Sequence, residues 1–156
     1  MKLLSRFSCA GLLFVILLAL PSLVNAQAIG PRGGYDFDTE DLVLGVEGEF
    51  GRVFRDFQIA PSIDFEFGDH SFTAFNGDFR MYLFHLPETG LKFYGSAGPT
   101  LLMISSNNNT DTELGLSVVA GMRIPMQGNR RYNIETRFGF GDIPDFKLMV
   151  TILFGI

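Results

Sequence analysis

The sequence has no tryptophan, a single cysteine (Cys9), two histidines (His70 and His85), and 12 Lys+Arg against 17 Asp+Glu in 156 residues. One thiol can supply neither a disulfide framework nor a Cys-based zinc site. The few cations form no run along the chain, so the concentrated positive surface that grips nucleic-acid phosphates is missing from the sequence. No apolar run beyond residue 26 approaches the roughly 20 residues that a membrane-spanning helix requires. What the chain does have is 47% apolar residues, among them 17 phenylalanines, which is too hydrophobic for disorder and enough for one domain.

The first segment reads as a targeting signal. Lys2 and Arg6 precede an apolar stretch from about Phe7 to Leu20, followed by Pro21 and then Val24-Asn25-Ala26. A charged start, a short apolar middle and small residues at the end are the pattern of a secretory signal peptide, with the cut expected between Ala26 and Gln27. The apolar stretch is too short to cross a bilayer as a helix. Cys9 stands near the start of that stretch instead of closing it, which argues against lipidation there. The expected organisation is a signal peptide over 1–26 and one domain over 27–156, and that domain has no cysteine and so needs no disulfide in an oxidising compartment.

Beyond residue 26 the hydrophobic period is two almost everywhere, which predicts strands with one apolar face. Eight such segments are expected, at about 28–37, 42–50, 57–67, 72–84, 91–104, 113–124, 132–141 and 146–156. The third is the cleanest: Phe57, Ile59, Pro61, Ile63, Phe65 and Phe67 alternate with Gln58, Ala60, Ser62, Asp64 and Glu66. Turn-forming residues separate the segments, at 36–41, 51–56, 68–70, 86–90, 105–112, 127–130 and 141–145. Connections this short make sequence neighbours pair antiparallel, and an even number of strands can close into an up-and-down barrel. Pro61 and Pro99 fall inside predicted strands, where each removes a ladder donor, so bulges are expected at both.

Period two leaves open whether the apolar face is the core of a soluble barrel or the outside of a membrane barrel. The polar face decides. It sets Glu47, Glu49, Asp64, Glu66, Asp78, Glu113 and Glu135 against Arg32, Arg80, Lys92, Arg123, Arg137 and Lys147, interleaved with glycine, alanine and serine. Small residues beside opposite charges suit the lumen of an eight-stranded barrel, which is only wide enough to be packed with side chains. The other face is nearly free of charge, as a lipid-facing band requires. Aromatics gather near strand ends, with Phe54, Phe57, Phe93 and Tyr132 toward one rim and Phe67, Phe72, Phe140 and Phe146 toward the other, like interfacial girdles.

Taken together, the leader, the eight alternating segments and the final strand Lys147-Leu148-Met149-Val150-Thr151-Ile152-Leu153-Phe154-Gly155-Ile156 resemble the outer-membrane β-barrel family, of the small eight-stranded OmpX and OmpA-barrel type, often labelled porin-like. The resemblance implies an all-β, eight-stranded antiparallel transmembrane barrel in an outer membrane, with both termini in the periplasm. It further implies contact with outer-membrane lipid, recognition of the last strand by the barrel-assembly machinery, a monomer, and outward-facing odd-numbered connections. The longest of these is expected to be the polar stretch 105–112, a surface for an extracellular ligand. In the family the last strand usually ends on an aromatic residue. Here Phe154 stands two places before Ile156, which keeps the alternation.

Catalysis finds little support. Ser71 adjoins His70, but adjacent residues on a strand point to opposite faces, so the pair cannot easily share a proton. His85 adjoins Leu86-Pro87 in a predicted turn and reads as structural. Asp69, Asp111 and Asp142 lack calcium-loop spacing, and Asn108-Asn109-Thr110 matches a glycosylation sequon only formally. No catalytic, cofactor or metal residue is assigned. The expected role is structural, in envelope integrity or loop-mediated binding, with a lumen plugged by the charged network. A lipid-modifying enzyme, a soluble lipocalin-like carrier and a narrow pore are the alternatives.

Overall fold

A computed structural model of the chain describes residues 26–54, 57–68, 71–106, 109–144 and 146–156. The expected signal peptide therefore lies outside the described residues, apart from Ala26, which opens the first strand. Eight strands follow one another: β1 (Ala26–Asp36), β2 (Asp41–Phe54), β3 (Phe57–Phe67), β4 (Ser71–Leu86), β5 (Leu91–Ser106), β6 (Asn109–Pro125), β7 (Arg130–Gly141) and β8 (Phe146–Gly155). Each pairs antiparallel with its neighbours in sequence, and β1 pairs with β8 to close the barrel. Closure leaves no open edge, so each strand has a partner on both sides.

Turn chemistry sets the hairpins. Asp36 caps the first turn by accepting hydrogen bonds through Oδ1 from the Asp38 and Thr39 amides at 2.9 and 3.3 Å. Gly90 and Gly128 adopt φ of 70° and 77° in the β4–β5 and β6–β7 turns, a left-handed conformation that glycine enters without steric cost.

Three expectations about the strands need correction. The ladders run through Pro61↔Gly77 and Pro99↔Leu116 with no register shift, so neither proline makes a bulge. Each faces outward, and glycine neighbours (Gly48 beside Pro61, Gly77 between both prolines) leave room for the rings. The register shifts lie elsewhere, at Ala26/Ala28, over Phe50–Phe54 and at Tyr82/Phe84, all toward the rim that holds the chain termini. Residues 51–54, read as turn, continue β2. The stretch 105–112, expected as the longest loop, is mostly ladder, with Ser105↔Thr110 and Ser106↔Asn109 paired and only residues 107 and 108 between the strands.

Polarity is inverted relative to a soluble domain. Leu114, Leu42 and Leu116 on the outer face are 68%, 64% and 62% exposed, whereas Arg80, Glu49 and Asp36 inside are fully buried. β3 shows the alternation residue by residue, with Ser62, Asp64 and Glu66 buried and Ile63, Phe65 and Phe67 outward. Such a wall is stable where the medium outside is hydrocarbon, because the closed ladders pair the strand backbone and the side chains that meet the medium are mainly apolar. Phe79→Arg, at the middle of β4 on the outer face, is expected to destabilise the barrel in lipid vesicles by about 2–4 kcal/mol. Urea titration of the two proteins in vesicles measures it, and a difference near zero would place Phe79 away from hydrocarbon.

Candidate functional site

The lumen is the part of the molecule where chemically active side chains converge. Period-two parity aims every second residue of each strand inward, and a barrel of eight strands brings residues far apart in sequence within hydrogen-bond reach. Arg80 of β4 stands at the centre. Its Nη2 donates to Glu47 Oε1 of β2 at 2.9 Å and to Glu135 Oε1 of β7 at 2.6 Å, and its Nη1 lies 3.5 Å from Glu49 Oε1. Its guanidinium also covers the Tyr94 ring at 4.3 Å, while the Tyr94 hydroxyl donates to Glu135 at 2.7 Å. Arg32 of β1 completes this layer, reaching Glu47 at 3.1 Å, Asp64 at 3.2 Å and Glu135 at 3.5 Å. Two arginines are thus shared among acids from β2, β3 and β7.

A second layer lies toward the far rim. Arg137 pairs with Asp78 and donates to Ser117 Oγ at 2.6 Å. Asn76 accepts from Thr100 at 2.9 Å and donates to Asp64 at 2.8 Å, which ties this layer to the first. At the far mouth, Lys147 pairs with Glu66 and with Asp36, the latter at 3.3 Å. The opposite wall of that mouth is apolar: the β7–β8 connection folds inward and buries Ile143 against Ala74 and Leu102. Toward the rim of the termini, Glu49 takes Arg123 at 2.6 Å and Arg131 at 3.1 Å.

Of the charged residues expected on the polar face, Arg32, Glu47, Glu49, Asp64, Glu66, Asp78, Arg80, Arg123, Glu135, Arg137 and Lys147 are buried in these clusters. Two are not. Lys92 is exposed at the terminus rim, its ammonium 5.6 Å from the Tyr82 ring, because it stands one residue into β5 after the turn. Glu113 is half-exposed near the start of β6, where the wall extends toward the far rim. The expected lumen network left out Asp36, Asn76, Tyr94, Ser117, Arg131, Asn133 and Thr151, two of them charged and the rest neutral. All but Arg131 follow from the same parity, and Arg131 follows from Asn133.

The network can hold strands together across the lumen, and among the described residues no histidine enters it. His70 lies outside the described residues, and His85 sits exposed opposite Lys92 at the rim of the termini. Among the described residues no group of three His, Cys, Asp or Glu is placed to hold a metal ion.

No family model matches the sequence, and no curated protein does. Solved structures do resemble it. The N-terminal β-barrel domain of Pseudomonas aeruginosa OprF shares 17% identity at a TM-score of 0.68, over 85% of this chain and 98% of that one. Neisserial surface protein A shares 11% at 0.62, over 84% and 96%. A chain from the de novo design of transmembrane β-barrels shares 13% at 0.61, over 84% and 95%. With its apolar face outward and its charges inward, this chain has the closed, eight-stranded, up-and-down fold of these small transmembrane barrels.

Proposed function

We propose that the protein is an integral outer-membrane barrel whose lumen is plugged, and that its role is carried by its wall and rims, in envelope integrity or in binding at the outer connections. The observation that carries this reading is the inversion itself, with charged side chains paired inside and phenylalanine and leucine facing out. A soluble carrier would need the opposite arrangement. In this reading residues 1–26 direct export, the barrel spans as a monomer in outer-membrane lipid, and the assembly machinery reads the last strand, β8. No catalysis is assigned to it.

Two layers of ion pairs and the inward Ile143 favour a plug over a pore, since eight strands leave space only for side chains. The test pairs two measurements on the detergent-refolded protein. Gel migration is expected to shift on boiling, with a β-type circular dichroism spectrum in detergent and none in plain buffer. A soluble β fold in buffer would overturn the membrane reading. Planar bilayers containing the protein are expected to show no stepwise conductance, and regular steps would replace the plug with a narrow pore.

A further inference from the structure

The sequence has no basic run, yet the topology gathers one at the rim of the chain termini. There a recess of about 220 Å³ opens between the β4–β5 and β6–β7 turns, lined by Lys92, Arg123, Arg130, Arg131, Asn129 and Pro125. Lys92 and Arg123 are direct cross-strand partners in the β5–β6 ladder, a juxtaposition of like charges that costs stability unless something offsets it. Part of the offset is aromatic: the Tyr82 ring lies 5.6 Å from the Lys92 ammonium and 5.2 Å from the Arg123 guanidinium. The rest falls on Glu49, which Arg123, Arg131 and Arg80 already share. Lys92 and Arg130 make no ion pair among the described residues, and Arg130 instead covers the ring of Phe154 on the apolar outer wall at 5.7 Å. Glu88 in the neighbouring turn is exposed and pairs with none of them among the described residues.

We infer that this recess is a phosphate-binding site. A phosphate group offers several acceptor oxygens and at least one negative charge to guanidinium forks and an ammonium, which is what four converging cations with one shared carboxylate lack. The recess is larger than a bare anion requires, leaving room for the group the phosphate is attached to. Two sources fit this chemistry: the headgroup of an anionic phospholipid in the leaflet at this rim, or a free phosphate. The position favours the headgroup, because Arg130 stands where the apolar wall ends, with Met126 exposed beside it, at the level where headgroups meet hydrocarbon.

The inference rests on the chain being a membrane barrel, and the test separates the two. The refolded protein and the double variant Lys92→Gln/Arg130→Gln are compared for adducts with phosphatidylglycerol and phosphatidylcholine by native mass spectrometry, and for inorganic phosphate binding by calorimetry. Both are checked for the boiling-dependent gel shift. A preference for phosphatidylglycerol that falls by about fivefold per removed cation in a still-folded variant supports the headgroup site. Phosphate binding that is lost in the variant, without lipid preference, supports the site with a soluble ligand. Equal binding of the two lipids with no phosphate binding, or a preference untouched by the substitutions, overturns it. If neither protein gives a boiling-dependent band, the membrane barrel fails and the site with it.

Discussion

Arg80→Met is expected to lower the stability of the refolded barrel by about 3–5 kcal/mol, read as a fall in the urea midpoint followed by circular dichroism. The guanidinium is fully buried and is shared by Glu47, Glu49 and Glu135. Methionine fills much of the volume, so the loss reports charge more than cavity. It leaves carboxylates whose remaining cations, Arg32 for Glu47 and Glu135 and Arg123 for Glu49, are already committed. Desolvating an ion pair costs nearly as much as its attraction returns, whereas stranding one partner returns nothing. The double variant Arg80→Met/Glu135→Gln is therefore expected to be more stable than Arg80→Met alone. Glu113→Gln, at a half-exposed site, should stay within about 0.5 kcal/mol of the parent. A shift for Arg80→Met no larger than that of Glu113→Gln would dismiss the idea of a buried network that holds the strands.

Gly30→Ala and Gly34→Ala, each on β1, are expected to weaken closure of the barrel by about 1–3 kcal/mol apiece or more. A methyl group at position 30 would collide with the carbonyl oxygen of Ile152, and one at position 34 with that of Leu148, both backbone atoms of β8 that cannot swing aside. Gly33, between them, faces outward, and a methyl there would meet only the Leu44 side chain at 3.4 Å and the Val43 carbonyl at 3.6 Å. Gly33→Ala is thus the control on the same strand. The fraction of refolded protein that runs as the boiling-sensitive band measures the effect. Equal yields for all three variants would show that β1 and β8 approach less closely than the ladder Gly33↔Val150, Gly34↔Met149 places them.

Most of the architecture could be read from the sequence because one physical rule repeats in every strand. Alternation of Phe57 through Phe67 assigns each side chain a face, and the balance of charge on the inner face tells which medium lies on which side. The sequence is silent where the outcome depends on distance in three dimensions. Nothing in the pattern tells that Arg80 meets Glu47, Glu49 and Glu135 while Lys92 meets none, since parity fixes the face but not the depth along the barrel. The prolines misled for a related reason: a missing donor looked like a break in the ladder, whereas glycine neighbours absorb the ring and the register runs through. Likewise the polar stretch 105–112 has the composition of a loop, yet both sides of it continue the hairpin. The inward fold of Ile143 left no trace in the pattern beyond an apolar residue between Asp142 and Pro144.

The closing seam also governs the order in which this molecule can be made. Seven of its eight ladders join strands adjacent in sequence, whereas the eighth joins Ala28 to Gly155, in the first and last strands of the barrel. Hairpins pay little loop entropy and can form early, but the last ladder requires the longest loop the chain can make and forms only when the others have brought its two edges together. Until then β1 and β8 each present a row of unpaired amides and carbonyls, groups that hydrocarbon does not tolerate. In a bilayer, insertion is therefore expected to be concerted with closure, and a chain that stalls one strand short is expected to have no partly stable resting state there.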